Sequence, residues 1–247
     1  MEKILNSQLN HRTIRSWKDK EIEADKLDLL FEVANRTATS NGMQQASIIR
    51  VTDPEKKLKI SKVAGQEYIA HVPELLIFIV DNFRNTKIME ERGKTIEFVN
   101  DTDRFFQGIT DASIMAQNIV VAAEAMDLGT VYFGSILNDA REIIKILNLP
   151  EYTFPVVGLG LGYPNQEPQL KPRMDIKTRV FENDYKVFDS YLEELKEYDQ
   201  EMTTYYDLRN ANTRVDCFTD QVVGKNENQV FSRSELIEIA KEQGFNL

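Results

Sequence analysis

Cysteine and histidine are scarce in this 247-residue chain, which contains one cysteine, Cys217, and two histidines, His11 and His71. A single cysteine excludes an intrachain disulfide and gives no support to a thiolate metal site. Two histidines are too few for a histidine-rich metal centre. We therefore predict no metal in this protein.

Long runs of basic residues and long runs of apolar residues are also missing. The formal net charge is -10, with 30 Lys and Arg against 40 Asp and Glu. Such a balance repels phosphate backbones and anionic membranes, so we expect neither nucleic-acid nor membrane partners. No segment approaches the roughly 20 apolar residues of a membrane span, and the first residues contain no apolar signal core. We expect a cytoplasmic protein.

Phosphate-binding glycine loops are not found either. Gly158, Gly160 and Gly162 alternate along a strand, but Tyr163-Pro164 follows them where a dinucleotide-binding fold would begin a helix. A Walker-type Gly-Lys-Ser/Thr sequence and a Gly-x-Ser-x-Gly elbow are absent too. Alternating glycines lie on one side of a strand. They either leave that side flat enough for a ligand or allow close packing within the protein.

The hydrophobic patterns predict helices and strands in an order typical of an α+β fold. The stretch 103–128 is apolar around most of its circumference, which indicates a central, buried helix, and Gly129 is predicted to stop it. Asp53 is predicted to cap a helix that begins at Pro54. The other predicted helices are 3–9, about 23–35, 84–100, 139–147 and 186–208, and a last one with a Ser232-x-x-Glu235 capping box. The predicted strands are 46–52, 75–80, 130–134 and 154–162.

We predict one domain over residues 1–247, with a core at about 1–162. Beyond it, Pro164, Pro168 and Pro172 are too frequent for regular structure. The chain contains no linker, so the arm and the C-terminal helices of about 163–247 are expected to wrap a partner subunit.

Two basic clusters are candidates for binding an anion. His11, Arg12, Thr13 and Arg15 lie within five residues, and guanidinium groups match phosphate oxygens. Lys171 and Arg173 flank a proline that stiffens their backbone. Each cluster could equally be a solvated surface segment. Taken together with the alternating glycines, they suggest a flat ligand that bears a phosphate.

These motifs and several others, in their order and spacing, resemble the FMN-dependent nitroreductase superfamily. The similarity is to its NADPH-preferring branch, the oxygen-insensitive nitroreductase A and flavin reductase P type, and spans about residues 1–220. The supporting sequences are Ser47-Ile-Ile-Arg-Val-Thr-Asp53, Ala64-Gly-Gln66-x-Tyr68, Asp111-Ala-x-x-x-Ala-Gln-Asn118, Ala122-Ala-Glu124, Leu128-Gly-x-Val-Tyr-Phe-Gly134, Leu149-Pro150, Gly158-Leu-Gly160-Leu-Gly162-Tyr-Pro164 and Leu170-Lys-Pro-Arg173.

The resemblance implies a mixed, mostly antiparallel sheet flanked by helices, in an intertwined homodimer with one FMN at each subunit interface. It implies that the basic clusters bind the FMN phosphate and neighbouring flavin atoms, with Arg15 nearest the pyrimidine edge. Tyr68 would border the substrate side. The residues implied to bind the cofactor are His11, Arg12, Thr13, Arg15, Thr39, Gln66, Tyr132, Phe133, Gly134, Ser135, Lys171 and Arg173.

The resemblance also places Arg209 and Arg214 where this branch binds the 2′-phosphate of NADPH. NADH lacks that dianion, so paired arginines would discriminate between the two nucleotides. The alternative is an exposed loop with ordinary charges. The chain departs from close relatives at Thr39-Ser40-Asn41-Gly42, where they have a serine run, and at Gly134-Ser135, where many have two glycines.

The implied activity is reduction of nitro compounds, quinones or flavins by two electrons, with NADPH as donor, bound FMN as carrier and ping-pong kinetics. Water can supply the protons, so we name no catalytic side chain. Two alternatives stay open: a dedicated reductase that supplies free reduced FMN, and a non-catalytic module that only binds FMN.

Overall fold

The computed structural model describes residues 2–95, 98–207, 213–227 and 231–247. Its α-helices are α1 (Glu2–Leu9), α2 (Ala24–Asn35), α3 (Pro54–Ala64), α4 (Phe83–Glu91), α5 (Thr102–Ala125), α6 (Ala140–Leu147), α7 (Tyr191–Glu194), α8 (Lys196–Met202), α9 (Phe218–Glu227) and α10 (Leu236–Glu242). Its strands are β1 (Ala46–Val51), β2 (Glu74–Asp81), β3 (Gly129–Phe133), β4 (Thr153–Gly162), β5 (Tyr206–Asp207) and β6 (Thr213–Arg214). In the described ranges, no helix has both the length and the apolar character needed to cross a membrane.

The main sheet has four antiparallel strands in the order β1-β2-β4-β3. In its centre, Ile77 of β2 pairs with Gly158 of β4. A parallel bridge between Thr13 and Thr130 extends the pairing beyond β3. The predicted α+β class and the mostly antiparallel sheet are confirmed.

Strand β2 is the centre of the core, and its continuous apolar run is buried on both faces, as predicted. Leu76 and Phe78 pack in the cluster that includes Ala112 and Ala116 of α5. Leu75 and Ile77 face the opposite way, into a second cluster built with α3 and α6. Each such side chain contributes about 1.5–3 kcal/mol when it is fully buried.

Helix α5 begins as the sequence suggests but ends by a different device. The Asp101 carboxylate accepts a hydrogen bond from the Arg104 backbone N–H at 2.8 Å and so caps the first turn. At the other end the left-handed residue is Asp127, with φ of 62°, so the prediction that Gly129 stops the helix was wrong. Gly129 instead opens β3, where a Cβ would lie 2.6 Å from Cγ1 of Ile14.

Three further predicted boundaries were wrong. Helix α4 ends at Glu91 and not near residue 100, because Gly93 turns the chain with φ of 64°. The predicted helix 186–208 is two short helices, α7 and α8. Ser232 does not form a capping box, because its hydroxyl donates to the carbonyl of Asn138, and α10 begins only at Leu236.

The chain divides into two compact units, 1–166 with 230–247, and 167–229. In the first unit α10 and Phe245 pack against Phe105 and Phe154 in a third apolar cluster. The last helix therefore lies on the core of its own chain. In the second unit, Thr219 donates to the carboxylate of Asp199 and joins α9 to α8. One domain over 1–247 and the wrapping of a partner stay predictions.

Candidate functional site

The basic turn at residues 11–15 lies along strand β3. The Ile14 backbone N–H donates to the Thr130 carbonyl at 2.9 Å, and Thr13 forms the parallel bridge to Thr130. Just beyond the turn, the Trp17 indole N–H donates to the Gly129 carbonyl at 3.2 Å. These hydrogen bonds to β3 therefore fix the backbone positions of the basic residues in the turn.

His11 is held by an acidic side chain of α5. Its Nδ1 lies 2.6 Å from Oε1 of Glu124, and the same oxygen accepts a hydrogen bond from the Thr130 hydroxyl at 3.0 Å. The Glu124 side chain is 11% exposed and that of His11 is 34% exposed. The carboxylate thus joins α5, β3 and the basic turn at one point.

Neither Arg12 nor Arg15 forms an ion pair with a described residue. Nη1 of Arg12 donates to the Asn10 carbonyl at 3.0 Å, while its buried Nε has no hydrogen-bond partner among the described residues. Arg15 uses its backbone N–H to reach Oε1 of Gln166 at 3.3 Å. Four other arginines of this unit are each paired with a carboxylate: Arg50, Arg84, Arg104 and Arg141.

The end of β3 brings several predicted residues together. The Ser135 hydroxyl donates to Oε1 of Gln66 at 3.2 Å. Gly134 lies between the end of β3 and Ser135, and a Cβ added there would meet no atom of the described residues within 4 Å. The chain therefore leaves open space at Gly134, beside two polar side chains that contact each other.

Tyr132 lies on the same end of β3 with 39% of its surface exposed. Its hydroxyl donates to Oε1 of Gln117 on α5 at 3.2 Å. Partial burial, and next the negative charge of Glu124, raise the pKa of Tyr132 above its usual range. The phenol therefore stays neutral at physiological pH and can act as a hydrogen-bond donor.

Phe133 is a core residue, and its side chain does not line an open surface. It is fully buried, and a Cβ at Gly160 would lie 2.8 Å from Cε2 of its ring. Gly158 faces the same side chain, and Gly162 faces Pro73 and Trp17. The idea that a ligand lies on the flat side of these glycines was wrong, because the chain's own aromatic side chains fill that side.

Thr39 precedes a loop that α5 holds in place. Asp111, only 1% exposed, accepts hydrogen bonds from the backbone N–H groups of Ser40 at 2.8 Å and Gln45 at 3.2 Å. Asn41 adopts φ of 51° within this loop. One buried carboxylate thus fixes both ends of the turn that follows Thr39.

Tyr68 belongs to an aromatic group beside the basic turn. Its ring centroid lies 6.4 Å from that of Trp17 and 5.9 Å from that of Phe133. Since the side chain is only partly exposed, packing orients one face of the ring.

The remaining predicted residues lie in the second unit. Lys171 and Arg173 are exposed, and Nη1 of Arg173 donates to the carbonyls of Lys171 and Pro172 at 3.1 Å each. Their convergence with the basic turn on one phosphate stays a prediction. Arg209 and the side chain of Arg214 lie outside the described residues, so the NADPH prediction stays open too.

Sequence reasoning did not identify Glu124 and Asp111 as residues that shape the site. Both stand in a helix whose buried positions are otherwise mostly small or apolar, such as Ala112, Ala116 and Ala123. A carboxylate in such a setting needs a partner, and this was the available signal. Their partners are 113 and 71 residues away for His11 and Ser40, a distance that no local pattern reveals.

Comparison with known proteins agrees with this geometry. Residues 9–163 match the Nitroreductase family, and residues 171–247 match the C-terminal domain of that family. The chain is 34% identical over 249 residues to "FMN reductase (NADPH)" of Bacillus subtilis, covering 100% of this chain and 99% of that protein. It is 32% identical over 213 residues to "Oxygen-insensitive NADPH nitroreductase" of Salmonella typhimurium, covering 86% of each.

Comparison with solved structures shows the same fold. NfrA1 nitroreductase from B. subtilis superposes with a TM-score of 0.90 at 34% identity, covering 98% of this chain and 99% of that one. The NADPH:FMN oxidoreductase from Vibrio harveyi, complexed with NAD+, gives 0.87 at 31% identity, with 98% of each chain covered. The resemblance inferred from the motifs is confirmed, and the chain belongs to the nitroreductase family.

Proposed function

We propose that this protein is an NADPH-dependent FMN oxidoreductase that reduces nitro compounds, quinones or flavins by two electrons. The observation that carries the proposal is the buried Nε of Arg12, which has no hydrogen-bond partner among the described residues and lies on a turn that is paired to β3 in an acidic chain. When bound, FMN would accept a hydride from NADPH and pass two electrons to the acceptor. The relatives named above carry the same activity in their names.

The basic turn fits the phosphate end of FMN. Arg12 has a buried Nε–H without a partner among the described residues, and a phosphate oxygen would satisfy that donor. His11 and Thr13 lie beside it on a backbone fixed by β3. We propose that Lys171 and Arg173 complete this phosphate site. The charges of Arg12, Lys171 and Arg173 would balance the phosphate charge that the acidic chain otherwise repels.

The end of β3 fits the ring of FMN. Gly134 allows an aromatic ring to approach the backbone, while Ser135 and Gln66 present polar groups that already contact each other. Thr39 and the Tyr132 and Phe133 backbone would border the ring. The Arg15 guanidinium, placed near the pyrimidine edge, would stabilise the negative charge that reduction adds.

Tyr68 would lie on the substrate side, because its ring is oriented by Trp17 and Phe133 and part of it is exposed. An open site of this kind holds the nucleotide and the acceptor in turn, so we propose ping-pong kinetics. Arg209 and Arg214 would bind the 2′-phosphate of NADPH.

We propose a homodimer with FMN at each subunit interface. Helices α1 and α5 support this by exposing large apolar side chains that a monomer would leave in water. These side chains are Ile4, Leu5, Leu9, Phe106 and Ile114. Light scattering of the purified protein should give twice the mass of the chain, and a monomeric mass would contradict the interface. We also propose a cytoplasmic location, which cell fractionation tests.

The visible spectrum of the purified protein tests the proposed function directly. We expect flavin absorption bands that bleach anaerobically when NADPH is added and return when a quinone follows. A colourless protein that does not take up added FMN would overturn the proposal. A yellow protein that NADPH does not bleach would favour a non-catalytic FMN-binding module.

Steady-state kinetics separate the remaining alternative. We expect parallel double-reciprocal lines when NADPH and the acceptor are both varied, and intersecting lines would contradict a shared site. Values of kcat/KM for free FMN, a nitroaromatic and a quinone should be compared under the same conditions. Strong preference for free FMN would identify a dedicated flavin reductase.

A further inference from the structure

The contact between Glu124 and His11 goes beyond what is needed to fold the N-terminal turn. The turn is already fixed by the Ile14–Thr130 hydrogen bond and by the Trp17–Gly129 hydrogen bond. Glu124 adds a third contact, and this one acts on a side chain and not on the backbone. The contact therefore constrains the direction of the imidazole.

The chemistry of the pair assigns the proton on the ring. An ionised carboxylate only accepts hydrogen bonds, so at 2.6 Å from Glu124 Oε1 the Nδ1 atom of His11 is the donor. The two ring nitrogens point in different directions. Nε2, which makes no hydrogen bond to a described residue, is left to face a ligand. With both nitrogens protonated, the ring carries one hydrogen bond to α5 and offers a second N–H outward.

Among the described residues, no other charged group competes with His11 for the Glu124 carboxylate. Among the described residues its only ion-pair partner is His11, and the other donor on the same oxygen is the uncharged Thr130 hydroxyl. Arg12, the next residue along the turn, directs Nη1 to the Asn10 carbonyl. Within the described ranges, no second cation forms an ion pair with this carboxylate and competes with His11.

We propose that Glu124 is a positioning residue for flavin phosphate: it orients His11 so that Nε2–H points at the phosphate and thereby makes the site prefer FMN to riboflavin. The inference rests on the proposed function, because it takes the basic turn as the phosphate site. A carboxylate that holds one ring nitrogen of a histidine is a general device for directing the second nitrogen at a ligand.

The two flavins separate this role from a merely structural one. Riboflavin has the same ring as FMN but no phosphate, so it does not use a phosphate donor. A general disturbance of the turn or of β3 would weaken both flavins by similar factors. Loss of an oriented phosphate donor would weaken FMN alone.

The experiment uses the yellow holoprotein of Glu124→Ala, Glu124→Gln, His11→Ala and the double variant His11→Ala/Glu124→Ala. Flavin fluorescence on dilution gives the Kd for FMN, and displacement of FMN by added riboflavin gives the ratio of the two affinities. We expect Glu124→Ala to weaken FMN binding by roughly tenfold, the size of one charge-assisted hydrogen bond, with riboflavin affinity unchanged. Glu124→Gln keeps an oxygen that can accept from Nδ1–H and should lie between wild type and Glu124→Ala.

The double variant tests whether Glu124 acts through His11. In the His11→Ala background, Glu124→Ala should have no further effect on the ratio of FMN to riboflavin affinity. Thr130→Val is the matched control, because it removes the other hydrogen bond to the same carboxylate oxygen and should leave the ratio unchanged. Equal losses for both flavins, or a full additional loss in the double variant, would overturn the inference.

Failure of the proposed function would look different. If the wild-type protein binds no flavin, or binds FMN and riboflavin equally, the proposed phosphate site itself is contradicted. A wild type that prefers FMN, together with an unaltered preference in Glu124→Ala, would overturn only the role of Glu124.

Discussion

The two compact units present their candidate phosphate ligands in different ways. In the first, backbone pairing to β3 and the contact of His11 with Glu124 fix the turn that carries Arg12. Both guanidinium groups donate to backbone carbonyls within two residues, but Arg173 in the second unit is exposed whereas Arg12 is partly buried. A group that is already held in place loses less freedom on binding. We therefore expect the first unit to contribute more to FMN affinity.

Substituting one arginine in each unit tests this comparison and should give the largest effect. Arg12→Ala should weaken FMN binding by about tenfold to a hundredfold, because it removes a charged donor from a fixed site. Arg173→Ala should weaken it less, since this side chain must be ordered first. The Kd for FMN, from flavin fluorescence on dilution of the holoprotein, measures both effects.

Arg92→Ala is a suitable control, because Arg92 is an exposed arginine at the end of α4. It changes the net charge by the same amount and should leave the Kd for FMN unaltered. A larger loss for Arg173→Ala than for Arg12→Ala would reverse the ranking of the two units.

A pair of glycines separates stability from ligand binding within the first unit. A Cβ at Gly160 would lie 2.8 Å from Phe133 and 2.9 Å from Val72, so Gly160→Ala should lower the free energy of unfolding by about 1–3 kcal/mol. Gly134→Ala meets open space and should change stability by less than about 0.5 kcal/mol. It should nevertheless weaken FMN binding, because the methyl group enters the proposed ring site.

Urea unfolding and the Kd for FMN measure the two outcomes. If Gly134→Ala binds FMN as wild type does, the ring is not placed at the end of β3. If Gly160→Ala is as stable as wild type, Phe133 is free to move and the packing described for the alternating glycines is incorrect.

The nucleotide prediction gives the second unit a role of its own. Arg214→Ala should lower kcat/KM for NADPH by roughly tenfold and spare NADH, because only NADPH carries the 2′-phosphate. The ratio of kcat/KM for the two nucleotides, with one acceptor held fixed, is the measurement. Equal losses for NADPH and NADH would mean that Arg214 does not contact that phosphate.

The smallest expected effect concerns the C-terminal helix that packs on the first unit. Arg141 donates to Glu242, and this hydrogen bond lowers the pKa of Glu242 below its ordinary value of 4.5. The contribution of this ion pair to the free energy of unfolding is present above the ordinary pKa of 4.5 and is lost as the pH falls through the lowered pKa of Glu242. Wild type should therefore exceed Glu242→Gln slightly in stability at pH 7, and the difference should vanish in acid. A difference that is independent of pH would contradict the ion pair.

The sequence was sufficient for most elements of the first unit. The apolar run of β2 and the long apolar helix α5 were predicted because burial on all sides leaves a strong pattern. The second unit was predicted less well, and 186–208 proved to be two short helices, because its charge-rich sequence contains little apolar periodicity. The end of α5 was missed because Asp127, not the nearby Gly129, adopts the left-handed conformation.

The site was predictable only where motifs were local. The basic turn and the contact of Gln66 with Ser135 follow residues that the resemblance had marked. The side chain that covers Gly160 comes from β3, some 27 residues earlier in the chain, and periodicity in β4 does not reveal it. Ligand-binding geometry here depends on such distant pairs, which only the folded chain brings together.

Helix α5 fixes the distance and the angle between two parts of the site. Asp111 fixes the loop at Ser40 and Gln45, while Glu124 fixes His11, thirteen residues further along the same helix. One residue inserted or deleted between them would rotate one carboxylate relative to the other by about 100° and shift it by about 1.5 Å along the axis. The length of this stretch is thus under a constraint that sequence similarity alone would not show. A change of register there would uncouple the loop from the basic turn in a single step.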